Sequence, residues 1–479
     1  MTHTAPQGNP AEETTAALLP LFSQVHAASR REPFPDLATR RRRLDALEAL
    51  LRDNEDALVA AVAKDFGQRP RQETQLLELF PSLEGLRHTR RHLKAWMRPR
   101  RRPVGLWFQP GRAEVRPQPL GCVGIVVPWN YPIYLTIGPL TAAFAAGNRA
   151  LVKFSEFTPA TARLFSLLAS RYFAPDELVV VEGDAQVAQA FVGLPFDHLL
   201  FTGSTAVGRQ VMAAAAANLT PVTLEQGGKS PAIVAPGYPL AKAAERIMAG
   251  KCVNAGQTCI APDYVLLPAG QEEAFGAACR AAVAASHPDL VRNDDYTAII
   301  SLRHFQRLAA HLLDAQAKGA TSVNLAPGAN ADPVSRLFPP TLLLQVDDTM
   351  TVMQEEIFGP LLPIVPYERF EDALAYVNHH DRPLALYLFD HDRKRRETVL
   401  QQTVSGGVTV NDTLFHIAQD DLPFGGVGPS GLGHYHGHEG FLTFSKLKPV
   451  FHQSRLNGAG LLKPPYGARF ERLIRLLLR

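Results

Sequence analysis

The sequence predicts an α/β protein built on a doubly wound parallel sheet, with a second α/β unit following it. Three observations carry this expectation. Between Cys122 and Leu224, short apolar runs rich in β-branched residues alternate with helical stretches, the pattern of parallel strands joined by crossover helices and covered on both faces. A second alternation starts after Gly227. At 479 residues, 46% hydrophobic and 20% charged, the chain exceeds one ordinary core and has the balance of a soluble globular protein.

Taken in order, the first hundred residues read as helices. Leu44, Leu47, Leu51, Leu58 and Val62 recur on one helical face between Arg40 and Val62. A second helical stretch runs from about Gln72 to Met97 and is ended by Pro99 and Pro103. Cys122 to Val127 is then a buried strand, Leu135 to Ala146 a helix closing at Gly147, and Ala150 to Phe154 a strand. Thr158 caps the next helix, with Pro159 at its first position. Strands follow at Leu178 to Val181, His198 to Phe201 and Pro221 to Leu224, with helices at Ala185 to Val192 and Thr205 to Ala216 between them. Beyond Gly227, helices are expected near Ala241 and Glu272 and strands near Tyr264 and Leu342. Such sheets bind ligands at the carboxyl ends of their strands.

Composition narrows the function. A net charge of +3 gives no reason to expect nucleic acid or an acidic partner. The basic runs Arg40 to Arg43 and Arg98 to Arg102 read as solvated helix ends. Four cysteines, Cys122, Cys252, Cys259 and Cys279, make no disulfide framework in a chain this long and lack metal-ligand spacing. His434, His436 and His438 alternate, but no further ligand stands near them in sequence, so no metal is expected. Met1 to Pro10 is polar and lacks a signal-peptide core, and no stretch approaches the ~18 apolar residues of a membrane span. A reducing, cytoplasmic setting is expected. The run from Arg469 to Arg479 is a basic amphipathic helix. It reads as docking on the subunit or its partner, with peripheral membrane contact as the other reading.

Five segments can carry chemistry. Gly256-Gln257-Thr258-Cys259 sets a cysteine in a polar, glycine-bearing turn, where a thiolate can attack electrophilic carbon; a small buried hydrophobe is the alternative. Glu225, ending a strand before Gly227 and Gly228, can activate water when burial tunes it, or can simply cap the turn. Asn130, within PWNYP, offers a neutral amide to a developing oxyanion or makes an Asx-turn. Gly203 and Ser204, between a strand and a helix, admit a phosphate to the helix N-terminus. Lys153 and Glu156 suit ribose hydroxyls, or form a surface ion pair.

In combination, PWNYP, KFSE, FTGSTAVG, LEQGGKSP, GQTCIAPDYV, EEIFGP and PFGGVGPSGLG resemble the NAD(P)-dependent aldehyde dehydrogenase superfamily along nearly the whole chain. TCIAPDYV and the closing YHGHEGFLTFSK resemble its class 3 branch, and DFGQR and KPPYG its coniferyl aldehyde dehydrogenase-like members. The resemblance implies that Cys259 attacks the aldehyde, that Asn130 and the Cys259 backbone N–H hold the oxyanion, and that Glu225 activates the water hydrolysing the thioester. It implies NAD as cofactor, with NADP tolerated. Trp129, Lys153, Glu156, Gly203 and Ser204 are expected to bind it, and Glu356 and Phe358 to position the nicotinamide ribose. Two residues depart from the family pattern: Phe154 where proline is usual, and Gln226 where leucine is usual.

The implied architecture is a cofactor domain (1–102 and 119–226), a catalytic domain (227–410), oligomerisation strands (103–118 and 440–455), a closing loop (411–439) and a tail (456–479). The strand pair is expected near Val104 to Arg116, with the third segment near Leu447 to Gln453, and a homodimer is expected. The substrate is an aromatic (coniferyl-like) or medium-chain aliphatic aldehyde. A coenzyme A-acylating enzyme, which typically lacks the glutamate, and a non-catalytic protein on the same scaffold are the alternatives. Glu225 argues against the first, and the joint presence of Cys259, Glu225 and Asn130 against the second.

Overall fold

The computed structural model describes residues 10–478. The polar segment read as lacking a signal peptide therefore lies outside the described residues apart from Pro10, as does Arg479.

Two large sheets organise the chain. The first runs Gly431–Leu432, Val222–Glu225, His198–Thr202, Cys122–Val126, Arg149–Lys153, Leu178–Val181. Its neighbours pair in parallel, except that Gly431–Leu432 lies antiparallel to Val222–Glu225. The chain begins in the middle, at Cys122–Val126, builds outward to Leu178–Val181, then returns to build the other side. The switch point lies between Cys122–Val126 and His198–Thr202, where loops diverge and leave a crevice at the carboxyl ends. Both Cys122–Val126 and Arg149–Lys153 are buried along their whole length, as inner strands of a parallel sheet covered on both faces are.

The second sheet has seven strands, in the order Thr321–Asn324, Thr341–Leu344, Leu361–Tyr367, Tyr264–Pro268, Pro231–Val234, Ala385–Phe389, Gly407–Val410. Only its first pair is antiparallel. A third, antiparallel sheet joins Arg100–Arg102, Arg112–Pro119 and Ser445–His452.

Most predicted elements stand where the sequence placed them. Four readings are corrected. The helix expected from Arg40 to Val62 is two helices, Leu37–Asp53 and Glu55–Phe66. Asn54 leaves helical geometry at φ −127°, and its amide donates to the Leu50 carbonyl; a short polar side chain competes for backbone groups and breaks the run. The apolar face still faces the core in both halves, since Leu44, Leu47, Leu51, Leu58 and Val62 are all buried. Arg40 and Arg43 are not solvated but buried. Arg40 donates to the Pro35 and Ala145 carbonyls, and Arg43 pairs with Glu177 at 3.0 Å. Arg100–Arg102 is not a helix end but the exposed edge strand of the small sheet. Its hairpin therefore starts before Val104, which lies in the connection. Finally, Thr158 does not cap Pro159–Tyr172. The cap comes from Asp65, whose carboxylate accepts from the N–H groups of Ala160 and Thr161, each at 2.8 Å.

The stretch from Gln72 to Met97 is helical, but the wider turn Gln75–Leu79 separates Arg71–Thr74 from Phe80–Trp96. Such turns gather at functional sites, and this one carries the fully buried Glu78. The C-terminal helix Ala468–Leu477 buries none of its residues on the body of the chain. Among the described residues, no helix is long and apolar enough to cross a membrane.

Candidate active site

The carboxyl ends of the first sheet face the start of the second across a cavity of about 760 Å³. Its lining includes Trp129, Asn130, Gly203, Ser204, Glu225, Cys259, Glu356 and Phe358. Eight of the ten predicted site residues thus meet in one place, although they are spread over 230 positions of sequence. Lys153 and Glu156 are not part of that lining.

Cys259 follows a strained approach. Asn254, Ala255 and Gly256 have φ of 51°, 51° and 73°, three successive residues in the left-handed region, which holds only when the surroundings over-determine it. The Asn254 amide donates to the Asn130 carbonyl (3.1 Å) and the Gln257 carbonyl (3.0 Å). Gln257 in turn donates to the Asn254 and Ala298 carbonyls and accepts from Ile300 N–H. At Gly256 a Cβ meets the Gly359 carbonyl oxygen at 2.4 Å, a contact that backbone cannot relieve. Gly256→Ala is therefore expected to cost at least about 2 kcal/mol from strain and clash together and to displace Cys259. Thermal unfolding and NADH formation check this; a variant with normal Tm and rate contradicts the strain.

Burial is the main cause that raises the Cys259 thiol pKa well above the ordinary cysteine range, and the Glu356 and Glu225 carboxyls add to it. The N–H groups of Cys259 and Ile260 oppose the rise. Cys259 is half-buried where Cys122, Cys252 and Cys279 are buried, and it lines the cavity.

Glu225 is the last residue of Val222–Glu225, paired to Thr202 on one side and Gly431 on the other. It is 3% exposed, and neither carboxyl oxygen has a hydrogen-bond partner. Burial pushes its pKa well above the usual carboxylate range. A carboxyl left without cation or donor is costly, which marks the position as one shaped for something other than stability.

Asn130 is buried and donates from Nδ2 to the Gln257 carbonyl at 3.2 Å. An amide nitrogen has two hydrogens, so the second remains for a ligand. Ser204 caps Thr205–Ala216 by accepting from Val207 N–H, so that helix N-terminus points its free N–H groups at the cavity. Lys153 is buried, and its ammonium donates to the Phe154 and Gly183 carbonyls. Glu156 is exposed three residues past that strand's end. Glu356 is pushed up to about 8 by burial first and Asp263 second. The Phe358 ring meets Trp129 edge-on at 5.3 Å.

The two departures from pattern resolve as packing. Phe154 is a core residue whose ring lies 5.3 Å from that of Phe165. Gln226 does not add polarity beside Glu225: its amide lies against Gly208, where a Cβ stands 1.7 Å from Nε2, and its N–H donates to the Ser430 carbonyl.

Residues 24–450 match the aldehyde dehydrogenase family. The chain belongs to that family. It is 56% identical over 454 residues, 95% of this chain and 94% of the relative, to a Pseudomonas aeruginosa protein described as "Probable coniferyl aldehyde dehydrogenase". Among solved structures, Staphylococcus aureus AldH in a substrate-bound state is similar with TM-score 0.90 and 36% identity, covering 96% of this chain and 99% of that one. Mycobacterium tuberculosis aldehyde dehydrogenase in complex with NAD+ gives TM-score 0.81 and 29% identity, covering 93% and 90%.

Sequence reasoning missed several residues that build this aldehyde dehydrogenase site. Arg307 donates to the Glu356 and Ile357 carbonyls and so fixes the EEIFGP turn. Asp263 accepts from Ile357 N–H and pairs with Lys229, tying LEQGGKSP to the same turn. His304 lies against Trp129 and Phe157. Asp263 and Lys229 stood inside quoted motifs, but nothing local signalled Arg307 or His304, because their partners are distant in sequence. Among the described residues no group of three histidine, cysteine or carboxylate side chains can hold a metal; His436 is buried against Phe424, and the half-buried His438 lies beside Trp96 and Phe441.

Proposed function

We propose that this enzyme oxidises an aromatic aldehyde of the coniferyl type to its carboxylate with NAD(P)+, through a thioester on Cys259. The observation that carries the reading is the convergence of a buried, unpaired Glu225, the Cys259 turn and the Asn130 amide on one cavity. The cavity is large enough for an extended ligand, and its glycine-lined strand end and helix N-terminus fit a pyrophosphate, so the residues present suit a dinucleotide. When bound, the dinucleotide supplies the hydride acceptor. Gly203 and Ser204 hold its phosphates, Lys153 and Glu156 its adenosine ribose, and Glu356, Phe358 and Trp129 its nicotinamide end. The Mycobacterium tuberculosis relative's complex with NAD+ supports a nicotinamide dinucleotide as the cofactor. The Cys259 sulfur adds to the carbonyl as the thiolate, its proton having gone to solvent, while Asn130 and the Cys259 N–H hold the oxyanion. Loss of hydride from the adduct leaves the thioester, and Glu225, as the carboxylate, takes a proton from the water that cleaves it to the acid and the thiol.

A relative 56% identical bears the coniferyl name, which favours a phenylpropenal substrate. The Glu156 carboxylate repels a 2′-phosphate and favours NAD over NADP. A panel of aldehydes assayed for NADH and NADPH formation tests both: the highest kcat/KM is expected for coniferyl aldehyde with NAD, and the product is the free acid. Turnover that requires coenzyme A, or no reduced cofactor with any aldehyde, overturns the reading.

The chain is further read as a cofactor domain of residues up to 102 and 119–226, a catalytic domain of 227–410, and oligomerisation strands within 103–118 and 440–455. Val115, Leu447 and Phe451 share one face of the small sheet by register, and the last two are exposed. That face suits a second copy of the chain in a homodimer, with the exposed C-terminal helix docking on the partner. The location is read as cytoplasmic.

A further inference from the structure

The motif Asp65-Phe66-Gly67-Gln68-Arg69 has no part in the chemistry above, yet each of its polar residues reaches a different piece of the site's support. Asp65 caps Pro159–Tyr172. Gly67 has φ 80°, and a Cβ there meets the Arg336 guanidinium at 2.2 Å. Gln68 donates to the Asn293 and Tyr296 carbonyls and accepts from Ala298 N–H. The same loop grips Gln257 through Ala298 and Ile300. Arg69 turns the other way, donating to the Asn130 carbonyl at 3.0 Å and pairing with Glu78 at 3.1 Å. Two adjacent residues thus hold the two flanks of the cavity, one the nucleophile's and one the amide's.

We propose that Arg69 is a positioning residue that sets the Asn130 amide against Cys259. The inference rests on Asn130 being the oxyanion donor. Glu78 Oε2 accepts from Ile133 N–H (2.7 Å) and Tyr134 N–H (3.2 Å), so one ion pair clamps the loop at both its start and its end. Both side chains are fully buried, and water cannot take over either contact. The guanidinium also lies over the rings of Phe66 (4.7 Å) and Tyr131 (5.1 Å). Tyr131 in turn shares a 2.6 Å hydrogen bond with Thr258, the neighbour of the nucleophile. The planar guanidinium donates to the Asn130 carbonyl through Nη1 while Nη2 lies 3.1 Å from the Glu78 carboxylate, a two-point span that a lysine ammonium covers less well.

The test is a double-mutant cycle on kcat with Arg69→Met and Asn130→Ala. Arg69→Met alone is expected to lower kcat about 10- to 100-fold, the scale of a small misplacement at the reacting centre. KM for NAD and the rate of Cys259 alkylation by iodoacetamide stay unchanged, and Arg69→Lys recovers part of the rate. In an Asn130→Ala background the Arg69 change costs less than about threefold. Equal losses in both backgrounds, or a fall in Tm with kcat intact, overturn the proposal. A normal kcat in Asn130→Ala alone overturns the oxyanion assignment first, and the route through Arg69 with it. If Arg69→Met does not fold, the isosteric Glu78→Gln enters the same cycle with the same expected pattern.

Discussion

Cys259→Ala is expected to abolish aldehyde-dependent NADH formation, with kcat reduced on the order of 10⁴-fold or more, the range seen when an enzyme loses its nucleophile. The other three cysteines offer no substitute. Cys122, Cys252 and Cys279 are buried within the fold, and burial holds the Cys252 thiol up at about 12. Only Cys259 borders the cavity. The variant is expected to fold normally, because the turn is fixed by Asn254 and Gln257 rather than by the sulfur. An alanine enzyme that still reduces NAD at the wild-type rate contradicts the assignment. Burial raises the Cys259 thiol pKa, so alkylation of the free enzyme is expected to accelerate as pH rises.

Glu225→Gln carries the second large effect. Removing a general base lowers the step it serves by about 10²- to 10⁴-fold. Here that step is hydrolysis of the thioester, so the first turnover survives. The variant should release a burst of NADH of one equivalent per subunit and then nearly stop. Its Tm should match the wild type, since glutamine has nearly the same shape and neither carboxyl oxygen has a hydrogen-bond partner to lose. The pH profile follows from the sign of the shift. A base must be deprotonated, and burial raises this group's pKa well above the usual carboxylate range. Deacylation is therefore lost as pH falls through that raised value, well above pH 4.5, and recovers on the alkaline side. Glutamine removes the dependence. A Glu225→Gln enzyme with steady turnover and an unchanged pH profile assigns the base elsewhere; Glu356, held up at about 8 beside the same cavity, is then the group to examine.

The alternation of strands and helices was legible from Cys122 to Glu225 because its central strands are buried and carry short apolar runs between helical stretches. The proposed trio of Cys259, Glu225 and Asn130 came from the family resemblance of its combined motifs, each weak alone, and the structure brings the three to one cavity. What escaped detection depends on partners far away in sequence. Asp65 caps a helix that starts 94 residues later, so the local signal at Thr158 pointed to the wrong side chain. Arg40 and Arg43 look solvated by composition, and only the carbonyls of Ala145 and Asn148 and the Glu177 carboxylate explain their burial. The pKa of Cys259 escaped for the same reason: a polar turn says nothing of the walls that other segments build around it.

The most direct measurement traps the intermediate. Glu225→Gln is mixed with coniferyl aldehyde and NAD, quenched in acid during the burst, digested and analysed by mass spectrometry. The account predicts the acyl group of the product acid on the peptide containing Cys259, in amounts matching the NADH released. An unmodified Cys259 after a full burst, or the acyl group on another residue, contradicts it.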